Sequence, residues 1–195
     1  MAIQVPNQPD AFFLEFIPAE FERNRAGRPL PPVPYSIRVK LSDGKTYGYR
    51  IADGKLAVSQ DGAAAADVRV MLALEDFREL VRASRSHLPD APPPPPPIPP
   101  TFLFPPIETL AGRIRVVVDD LGDKRTVDVA LGSVADDAPP KTTVHTTVDF
   151  VAGLQGKTLA VEQIIKSGGV RIEGDMGYLL RIANAFTAKT RRRER

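Results

Sequence analysis

A run of prolines in the middle of the chain limits its fold more than any other feature. Eleven of the 20 prolines lie in the segment PDAPPPPPPIPPTFLFPP, residues 89–106. Consecutive prolines donate no backbone hydrogen bonds and favour a polyproline II helix. We therefore predict a semi-rigid linker between an N-terminal unit, residues 1–88, and a C-terminal unit, residues 107–188. The apolar TFLF within the linker is expected to dock on a neighbouring surface.

The N-terminal unit has the pattern of a sheet followed by a helix. Its segments SIRVKLS, TYGYRI, KLAVSQ and DVRVML alternate apolar and polar residues, and Asp-Gly pairs separate them. Because Asp-Gly favours tight hairpin turns, we predict an antiparallel meander. LEDFRELVRAS then predicts a helix with Phe77, Leu80 and Val81 on one face. The earlier DAFFLEFIPAEFERN predicts an opening helix that Asp10 caps and that Pro18 kinks or divides.

The C-terminal unit loosely repeats this order. RIRVVVD, TVDVAL and TTVHTTV predict strands, and a helix carrying Phe150 and Leu154 follows. The match of VMLALEDFRELV with VHTTVDFVAGLQ suggests an internal repeat, two incomplete copies of one unit. This unit lacks an opening helix, whereas the N-terminal unit lacks the closing helix, strand and helix of LAVEQIIKSGGVRIEGDMGYLLRIANAF. We therefore expect each unit to need the other in order to fold.

The closing helix has an unusually wide apolar face. Asp175 is placed to cap it, and Met176, Leu179, Leu180 and Ala183 share one side. Tyr178, Ile182 and Phe186 extend that side beyond the stripe of about 100° that a surface helix needs. The sequence thus predicts that this helix does more than cover a sheet.

Composition and charge exclude several classes of protein. The chain has no cysteine, so disulfides and thiolate chemistry are absent. No apolar run reaches the roughly 18 residues that a membrane span needs, and residues 1–10 do not form a secretion signal, so we expect a soluble, cytoplasmic protein. The formal charge of +2 comes from the basic tail KTRRRER, residues 189–195; without it the chain has 21 basic and 23 acidic residues. A nucleic-acid partner is therefore not expected.

No catalytic or metal-binding arrangement can be recognised. The sequence GKT at residues 156–158 lacks the earlier glycine of a phosphate-binding loop, because position 151 is valine. The two histidines, His87 and His145, are isolated. The acid pairs 119–120 and 136–137 lie at predicted turns, where aspartate is favoured. We expect no cofactor, no metal and no enzymatic activity.

Several segments resemble the sterol carrier protein 2-like family. SGGVRIEGDMGYLLRIANAF is similar to that family's closing segment, in which a small-residue turn leads through a strand and Gly-Asp to an apolar helix. TTVHTTVDFVAGLQGK resembles a strand and helix of the family. FFLEFIPAEF and YRIADGKLAVSQDGAAAADVRVMLALEDFRELV resemble its opening helix, strands and next helix.

The resemblance implies an α+β fold in which helices cover one face of a mostly antiparallel sheet. It also implies an apolar tunnel, between sheet and helices, that holds a lipid, sterol or fatty acyl chain. The ligand-binding residues that we predict from it are Phe150, Leu154, Leu159, Ile164, Met176, Leu179, Leu180 and Ala183. The protein would bind or carry an apolar ligand.

The alternative is a structural or adaptor protein that keeps this fold without a ligand. It would join a larger assembly through the segment 92–106, since proline-rich segments can serve as ligands of proline-binding modules. The sequence leaves the ligand, the partner and the oligomeric state open.

Overall fold

The computed structural model describes residues 5–25, 34–62, 66–87, 107–153 and 166–187, and its strands form one sheet. The strands are β1 Tyr35–Leu41, β2 Thr46–Ala52, β3 Lys55–Gln60, β4 Val68–Leu72, β5 Gly112–Val118, β6 Arg125–Leu131, β7 Thr142–Thr146 and β8 Arg171–Gly174. A π-helical segment, Ala11–Phe16, leads into α1 Ile17–Arg25; α2 Leu74–His87, the 3-10 helix Ile107–Leu110, α3 Val148–Gly153 and α4 Met176–Thr187 follow. The predicted α+β class is confirmed. The proline-rich linker and the basic tail lie outside the described residues.

The N-terminal strands follow the predicted meander only as far as β3. The turn between β2 and β3 has positive φ at Asp53 (48°) and Gly54 (75°), as expected of a tight Asp-Gly hairpin. The fourth strand differs from the prediction, because β4 lies beside β1 and runs parallel to it. Asp61 and Gly62 also have positive φ, 75° and 34°, but they direct the chain across the sheet instead of closing a third hairpin.

The sheet contains the same strand arrangement twice. Its order is β3-β2-β1-β4-β6-β5-β7-β8. Strands β3-β2-β1-β4-β6 are related by antiparallel, antiparallel, parallel and antiparallel pairings. Strands β4-β6-β5-β7-β8 have the same sequence of pairings. The two five-stranded arrangements overlap in the pair β4–β6, so each one takes a strand from the other half of the chain.

The β4–β6 pair joins the halves through apolar contacts. Val68 lies opposite Leu131, Val70 opposite Val129 and Leu72 opposite Val127. Because strand side chains alternate between faces, all of these residues point to the same side of the sheet. Val70 and Leu72 pack against the core beneath α2, whereas Leu131 belongs to the core beside α4. The two cores therefore meet at this pair of strands.

The two faces of the sheet differ in chemistry. The helices pack on the face that carries the apolar residues, which we call the helix face. The opposite side, called the charged face, carries Arg38, Lys40, Arg50, Arg69, Arg113, Arg115 and Asp128. The segment 132–141, which leads from β6 to β7, is held on this side.

Arginine side chains hold the segment 132–141 in place. Arg38 and Arg69 both form ion pairs with Asp136, at 2.8 and 3.0 Å. Arg113 donates hydrogen bonds to the carbonyl of Ala138 (2.7 Å) and to Asp128 (2.5 Å). Asp136 lies in a turn, as predicted, but its carboxylate also links this turn to two strands.

Asp128 is the acid at the centre of these contacts. Burial would raise the pKa of its carboxyl group, but the hydrogen bonds from Arg115 and Arg113 outweigh burial and hold the pKa below its usual value. The carboxylate is thus stabilised in its charged form. Arg113 depends on it most, because its side chain is only 11% exposed, whereas that of Arg115 is 39% exposed.

The opening helix forms where it is predicted, but Asp10 does not cap it. Asp10 has helical backbone angles and its side chain makes no capping bond. Its carboxylate instead accepts hydrogen bonds from Tyr47 (2.6 Å) and Lys45 (2.8 Å), which tie the helix to β2. Pro18 is the second residue of α1, directly after the π-helical turn. The wider π turn therefore lies just before Pro18, which has no backbone N–H to donate.

Replacement of Asp128 by asparagine should destabilise the protein by about 3 kcal/mol, because it leaves the largely buried guanidinium group of Arg113 without a counter-charge and removes the partner of the more exposed Arg115. The lowered pKa also predicts a pH dependence. The wild type keeps the contribution of Asp128 above the pKa of an unfolded aspartate, about 4, and loses it as pH falls through the lower folded-state value. Urea unfolding of both proteins from pH 7 to pH 2.5 should show this acid loss in the wild type but not in Asp128→Asn.

Cleavage of the chain within the proline segment should leave the two halves bound to each other, because β4 and β6 pair across them. A protease site inserted at residues 92–97 allows the cut to be made in the folded protein. We expect the fragments to co-elute in size-exclusion chromatography and to unfold in one transition. Fragment 1–88 expressed alone is the control, and it should show no cooperative melt; two fragments that separate and stay folded would contradict the prediction.

Candidate functional site

The Gly-Asp step before α4 fixes where this helix begins. Gly174 has φ +93°, and a Cβ at this position would lie 2.5 Å from the carbonyl oxygen of Lys141. Only glycine fits there. Asp175 caps the helix as predicted, since its carboxylate accepts a hydrogen bond from the backbone N–H of Tyr178 at 2.8 Å. The side chain of Thr142 donates to the carbonyl of Asp175 at 2.7 Å and so links the helix to β7.

Tyr178 anchors α4 to the sheet. Its side chain is 1% exposed and donates a hydrogen bond to the carbonyl of Leu110 at 2.9 Å. The ring lies directly on Gly112, where a Cβ would come within 2.5 Å of the phenol oxygen. Burial raises the pKa of the Tyr178 phenol, so the group stays a hydrogen-bond donor. Part of the wide apolar face of α4 is therefore explained by anchoring to the sheet.

A group of apolar side chains on the helix face is left only half-buried. It comprises Ile114, Val116, Val127, Val144 and Ile172, and we call it the apolar strip. Its members are neighbours across β6, β5, β7 and β8. The first four lie on inner strands, where side chains beneath a helix layer are normally buried. The strip extends from β6 to β8, on the side of the β4–β6 pair that belongs to the C-terminal half.

Some of the predicted ligand-binding residues lie on the described parts of α3 and α4. Phe150 in α3 and Leu179 and Leu180 in α4 are half-buried, whereas Met176 at the start of α4 is 36% exposed. Four further predictions lie outside the described residues, namely Leu154, Leu159, Ile164 and the side chain of Ala183. The ligand-binding role of all eight residues stays a prediction.

Phe150 is held by a close contact with a glycine. A Cβ on Gly169 would lie 1.9 Å from the Phe150 ring, so the ring occupies the space beside this backbone. The contact fixes the first turn of α3 against the turn that precedes β8. Asp120 also caps α3, because both of its carboxylate oxygens lie 2.9 Å from the N–H of Val148.

The strip itself was not predicted as part of the site. Its residues follow the strict alternation that identified β5, β6 and β7, and the sequence analysis therefore assigned them to the sheet. Alternation reports which face a residue points to, but it does not report how completely that face is covered. No signal in the sequence distinguishes Val116 from a fully buried strand valine.

The corresponding positions of the N-terminal half are more completely buried at Val39 and Tyr47, although Ile37 and Val70, which correspond to Ile114 and Val144, are also half-buried. Val116 lies opposite Val127 in the hairpin β5–β6, just as Val39 lies opposite Tyr47 in β1–β2. Val39 is 7% exposed and Tyr47 is 0% exposed, whereas both valines of the C-terminal hairpin are half-buried.

Aromatic rings account for this difference. The Phe13 ring stacks on Tyr47 with centroids 4.6 Å apart and lies 5.1 Å from the Phe77 ring. Phe12 and Phe16 extend the cluster, with their ring centroids 5.5 Å apart. These rings fill the space above the strands in the N-terminal half. In the C-terminal half, Phe150 at the border of the strip is the one described aromatic side chain that takes a comparable place.

The charged face offers a histidine but no recognisable catalytic group around it. Nδ1 of His145 lies 3.2 Å from Asp119, and Nε2 lies 3.5 Å from Glu173. These contacts connect the ends of β5, β7 and β8. Within the residues that the structure describes, no three acidic or histidine side chains come together as a metal site would require.

Comparison with known proteins supports the resemblance inferred from the sequence. Residues 105–187 match the SCP-2 sterol transfer family. The matched segment contains β5 to β8, α3, α4 and the whole of the apolar strip. The predicted resemblance to sterol carrier proteins is thereby confirmed. A search of the curated proteins found no match.

Solved sterol carrier structures are also similar, at low sequence identity. Palmitated SCP2L2 from Aedes aegypti has 14% identity and a TM-score of 0.27, over 90% of this chain and 92% of that one. Sterol carrier protein 2 like 2 from the same species has 15% identity and a TM-score of 0.25, over 88% and 91%. Apo sterol carrier protein 2 from Yarrowia lipolytica has 10% identity and a TM-score of 0.23, over 93% and 80%. TM-scores this low support no inference about function.

Replacement of Tyr178 by phenylalanine should destabilise the protein by about 1–3 kcal/mol, since the buried carbonyl of Leu110 loses its donor. Gly112→Ala should cost at least as much, because its Cβ would overlap the tyrosine ring. Met176→Ala, in the same helix but at a more exposed position, is the control and should change stability by less than about 1 kcal/mol. The free energies of unfolding in urea measure all three; a Gly112→Ala protein as stable as the wild type would show that Tyr178 does not rest on this backbone.

Proposed function

We propose that the protein binds a fatty acyl chain or a sterol over the apolar strip, between the sheet and helices α2, α3 and α4, and carries it without chemical change. The half-burial of the strip is the observation that carries this proposal. Apolar surface on inner strands contributes to stability only when it is covered, and a bound apolar ligand would complete that cover.

Two further observations support the proposal. The family match covers the half of the chain that contains the strip, and that family is one of sterol transfer proteins. The equivalent surface in the N-terminal half is covered by the protein's own phenylalanine and tyrosine rings. The C-terminal half therefore has valines where the N-terminal half has a filled aromatic core.

The geometry favours recognition by shape and apolar contact. Val116, Val127 and Val144 offer no hydrogen-bonding group, and the polar groups at the border of the strip are engaged in capping α3 and α4. Polar selectivity would therefore have to come from the ligand's head group at the entrance. No helix among the described residues is long and apolar enough to cross a membrane.

Replacement of Val116 by tryptophan should block ligand binding with little loss of stability, because the added ring would enter the space that the ligand occupies. Val39→Trp is the matched control, since Val39 is the equivalent residue in the filled half. It should cost about 1–3 kcal/mol through overpacking and should leave binding by the folded protein unchanged. Fluorescence titration with a parinaric fatty acid and with a fluorescent sterol, together with thermal melts, measures both effects.

The opposite pattern would support the adaptor alternative. A wild-type protein that binds no acyl chain, sterol or quinone, and a Val116→Trp protein that is strongly destabilised, would together show a filled core without a ligand site.

We also expect one apolar ligand per chain, although the strand arrangement occurs twice. The aromatic cluster of Phe12, Phe13, Phe16 and Phe77 packs over the N-terminal half and occupies the space above Val39 and Tyr47. Native mass spectrometry of the protein saturated with a fatty acid should give a single bound mass. Two ligands per chain, with both lost independently, would show that the aromatic cluster opens.

A further inference from the structure

A cavity lies on the charged face, away from the helices and from the apolar strip. Its volume is about 400 Å³, within the range of about 300–1,000 Å³ that small-molecule sites occupy. Five of its lining residues point away from the helices: Ser36, Gly48, Arg50, Ala57 and Ser59. The cavity therefore uses a part of the molecule that apolar ligand binding on the helix face does not use.

The cavity exists because small side chains cluster on three neighbouring strands. Ser59 pairs with Gly48, and Ala57 pairs with Arg50, so apart from Arg50 the side chains of β3 and β2 are small in this region. Ala66 and Asp67, at the end of the segment that crosses from β3 to β4, form one wall. The cavity is thus a depression across several strands, and the chain at Ala66 and Asp67 closes one of its sides.

Asp67 presents a carboxylate that is fixed in position. One of its oxygens accepts hydrogen bonds from both the N–H and the hydroxyl of Ser36, each at 2.7 Å. The N–H of Asp67 donates in return to the Ser36 hydroxyl at 3.1 Å, and its carbonyl accepts from the N–H of Gly132. The other carboxylate oxygen has no hydrogen bond to any described residue and so retains its capacity to accept one.

Arg50 provides the opposite charge across the cavity. Ser36 lies opposite Arg50 on one side and bonds to Asp67 on the other, so the two charged residues are two strand spacings apart, roughly 10 Å. The two side chains form no ion pair with each other. Elsewhere on this face Arg38 and Arg69 pair with Asp136, and Arg113 and Arg115 pair with Asp128. Arg50 has no such partner among the described residues.

We propose that this cavity binds a small zwitterion, with its anionic group on the Arg50 guanidinium and its ammonium group on the free oxygen of Asp67. Charge-assisted hydrogen bonds at both ends would fix its orientation. Ser36 and Ser59 offer further hydroxyl groups, while Ala57 and Gly48 admit a short apolar body. The chemistry fits a free α-amino acid or the phosphoethanolamine head group of a lipid.

A larger cleft on the same face is a weaker candidate. It has a volume of about 660 Å³ and lies beside the segment 132–141, lined by Lys40, Arg113, Asp128, Asp136 and others. Its buried charges already neutralise one another in ion pairs. A charged ligand would have to break those pairs, whereas in the smaller cavity Arg50 and Asp67 form no ion pair with each other.

The test is a titration of the full-length protein with small probe molecules, monitored by calorimetry and by the chemical shifts of the backbone amides. The zwitterionic probes are L-alanine, L-serine and phosphoethanolamine; ethanolamine, propionate and inorganic phosphate each offer only one kind of charge. We expect at least one zwitterion to bind at least tenfold more tightly than every single-charge probe, and to shift the amide signals of Ser36, Gly48 and Asp67. Tighter binding of L-alanine or L-serine would indicate a metabolite site, and tighter binding of phosphoethanolamine would indicate a lipid head-group site.

Three variants locate the binding. Arg50→Gln removes the cation. Asp67→Asn removes the anion while keeping an acceptor for Ser36. Ala57→Trp places a large ring in the cavity from an exposed position on the edge strand β3. Each should weaken zwitterion binding at least tenfold with an unchanged melting temperature. Arg171→Gln, an exposed arginine elsewhere on this face, is the matched control and should bind normally.

The proposal is independent of apolar ligand binding, and the variants show this. Val116→Trp should bind the zwitterion normally, and Arg50→Gln should bind a fatty acid normally. Absence of zwitterion binding at millimolar concentration would overturn the proposal. Equal affinity for propionate or phosphate would also overturn it, because the site would then recognise an anion alone. The proposal would likewise be wrong if Arg50→Gln and Ala57→Trp bound the zwitterion as tightly as the wild type does.

Discussion

The antiparallel pairing of β4 with β6 is the contact on which the rest of the structure depends. Without it, each half of the chain would end in an unpaired strand edge, with exposed N–H and C=O groups. With it, two incomplete four-stranded sheets become one sheet of eight strands in which each five-stranded arrangement is complete. The same pairing brings the two apolar cores together, because Val70 and Leu72 face one core while Leu131 faces the other. Folding and any function of either half are therefore coupled through a pair of strands that lie far apart in sequence.

The two halves share a strand arrangement but differ in side-chain volume, and that difference decides what each half can do. At matched positions of the two hairpins, the N-terminal half has Tyr47 where the C-terminal half has Val127. Phenylalanines from the opening helix complete the filling of the N-terminal half. A fold does not determine function, since function depends on the groups placed upon it. Here one half contributes strands and a filled core, and the other offers apolar surface that its own strands and helices leave half-covered.

Local signals in the sequence predicted local structure well. The Asp53-Gly54 hairpin turn and the Asp175 cap formed as predicted, because both depend on backbone angles and hydrogen bonds within a few residues. The predictions that were wrong depend on distant partners. Asp10 forms hydrogen bonds to Lys45 and Tyr47 instead of capping its helix, and β4 pairs with β1 because the chain crosses the sheet after Gly62. The apolar strip was missed for the same reason, since coverage of a strand by helices is a tertiary property.

The alternation of valine and arginine in β4, β5 and their neighbours has a structural reason that applies to the whole sheet. Apolar residues on the helix face pack against helices, whose backbone groups are already hydrogen-bonded internally. The charged face is covered instead by an irregular segment, whose carbonyl groups have left the strand ladder and need donors. Arginine supplies several donors in a fixed planar group, and Arg69 and Arg113 donate to the carbonyls of Gly132, Val134 and Ala138. A strand with apolar residues on one side and paired arginines on the other thus indicates a sheet with helices on one face and crossing segments on the other. Arg50 continues this pattern but has no such partner among the described residues, so within them the fold gives it no structural role.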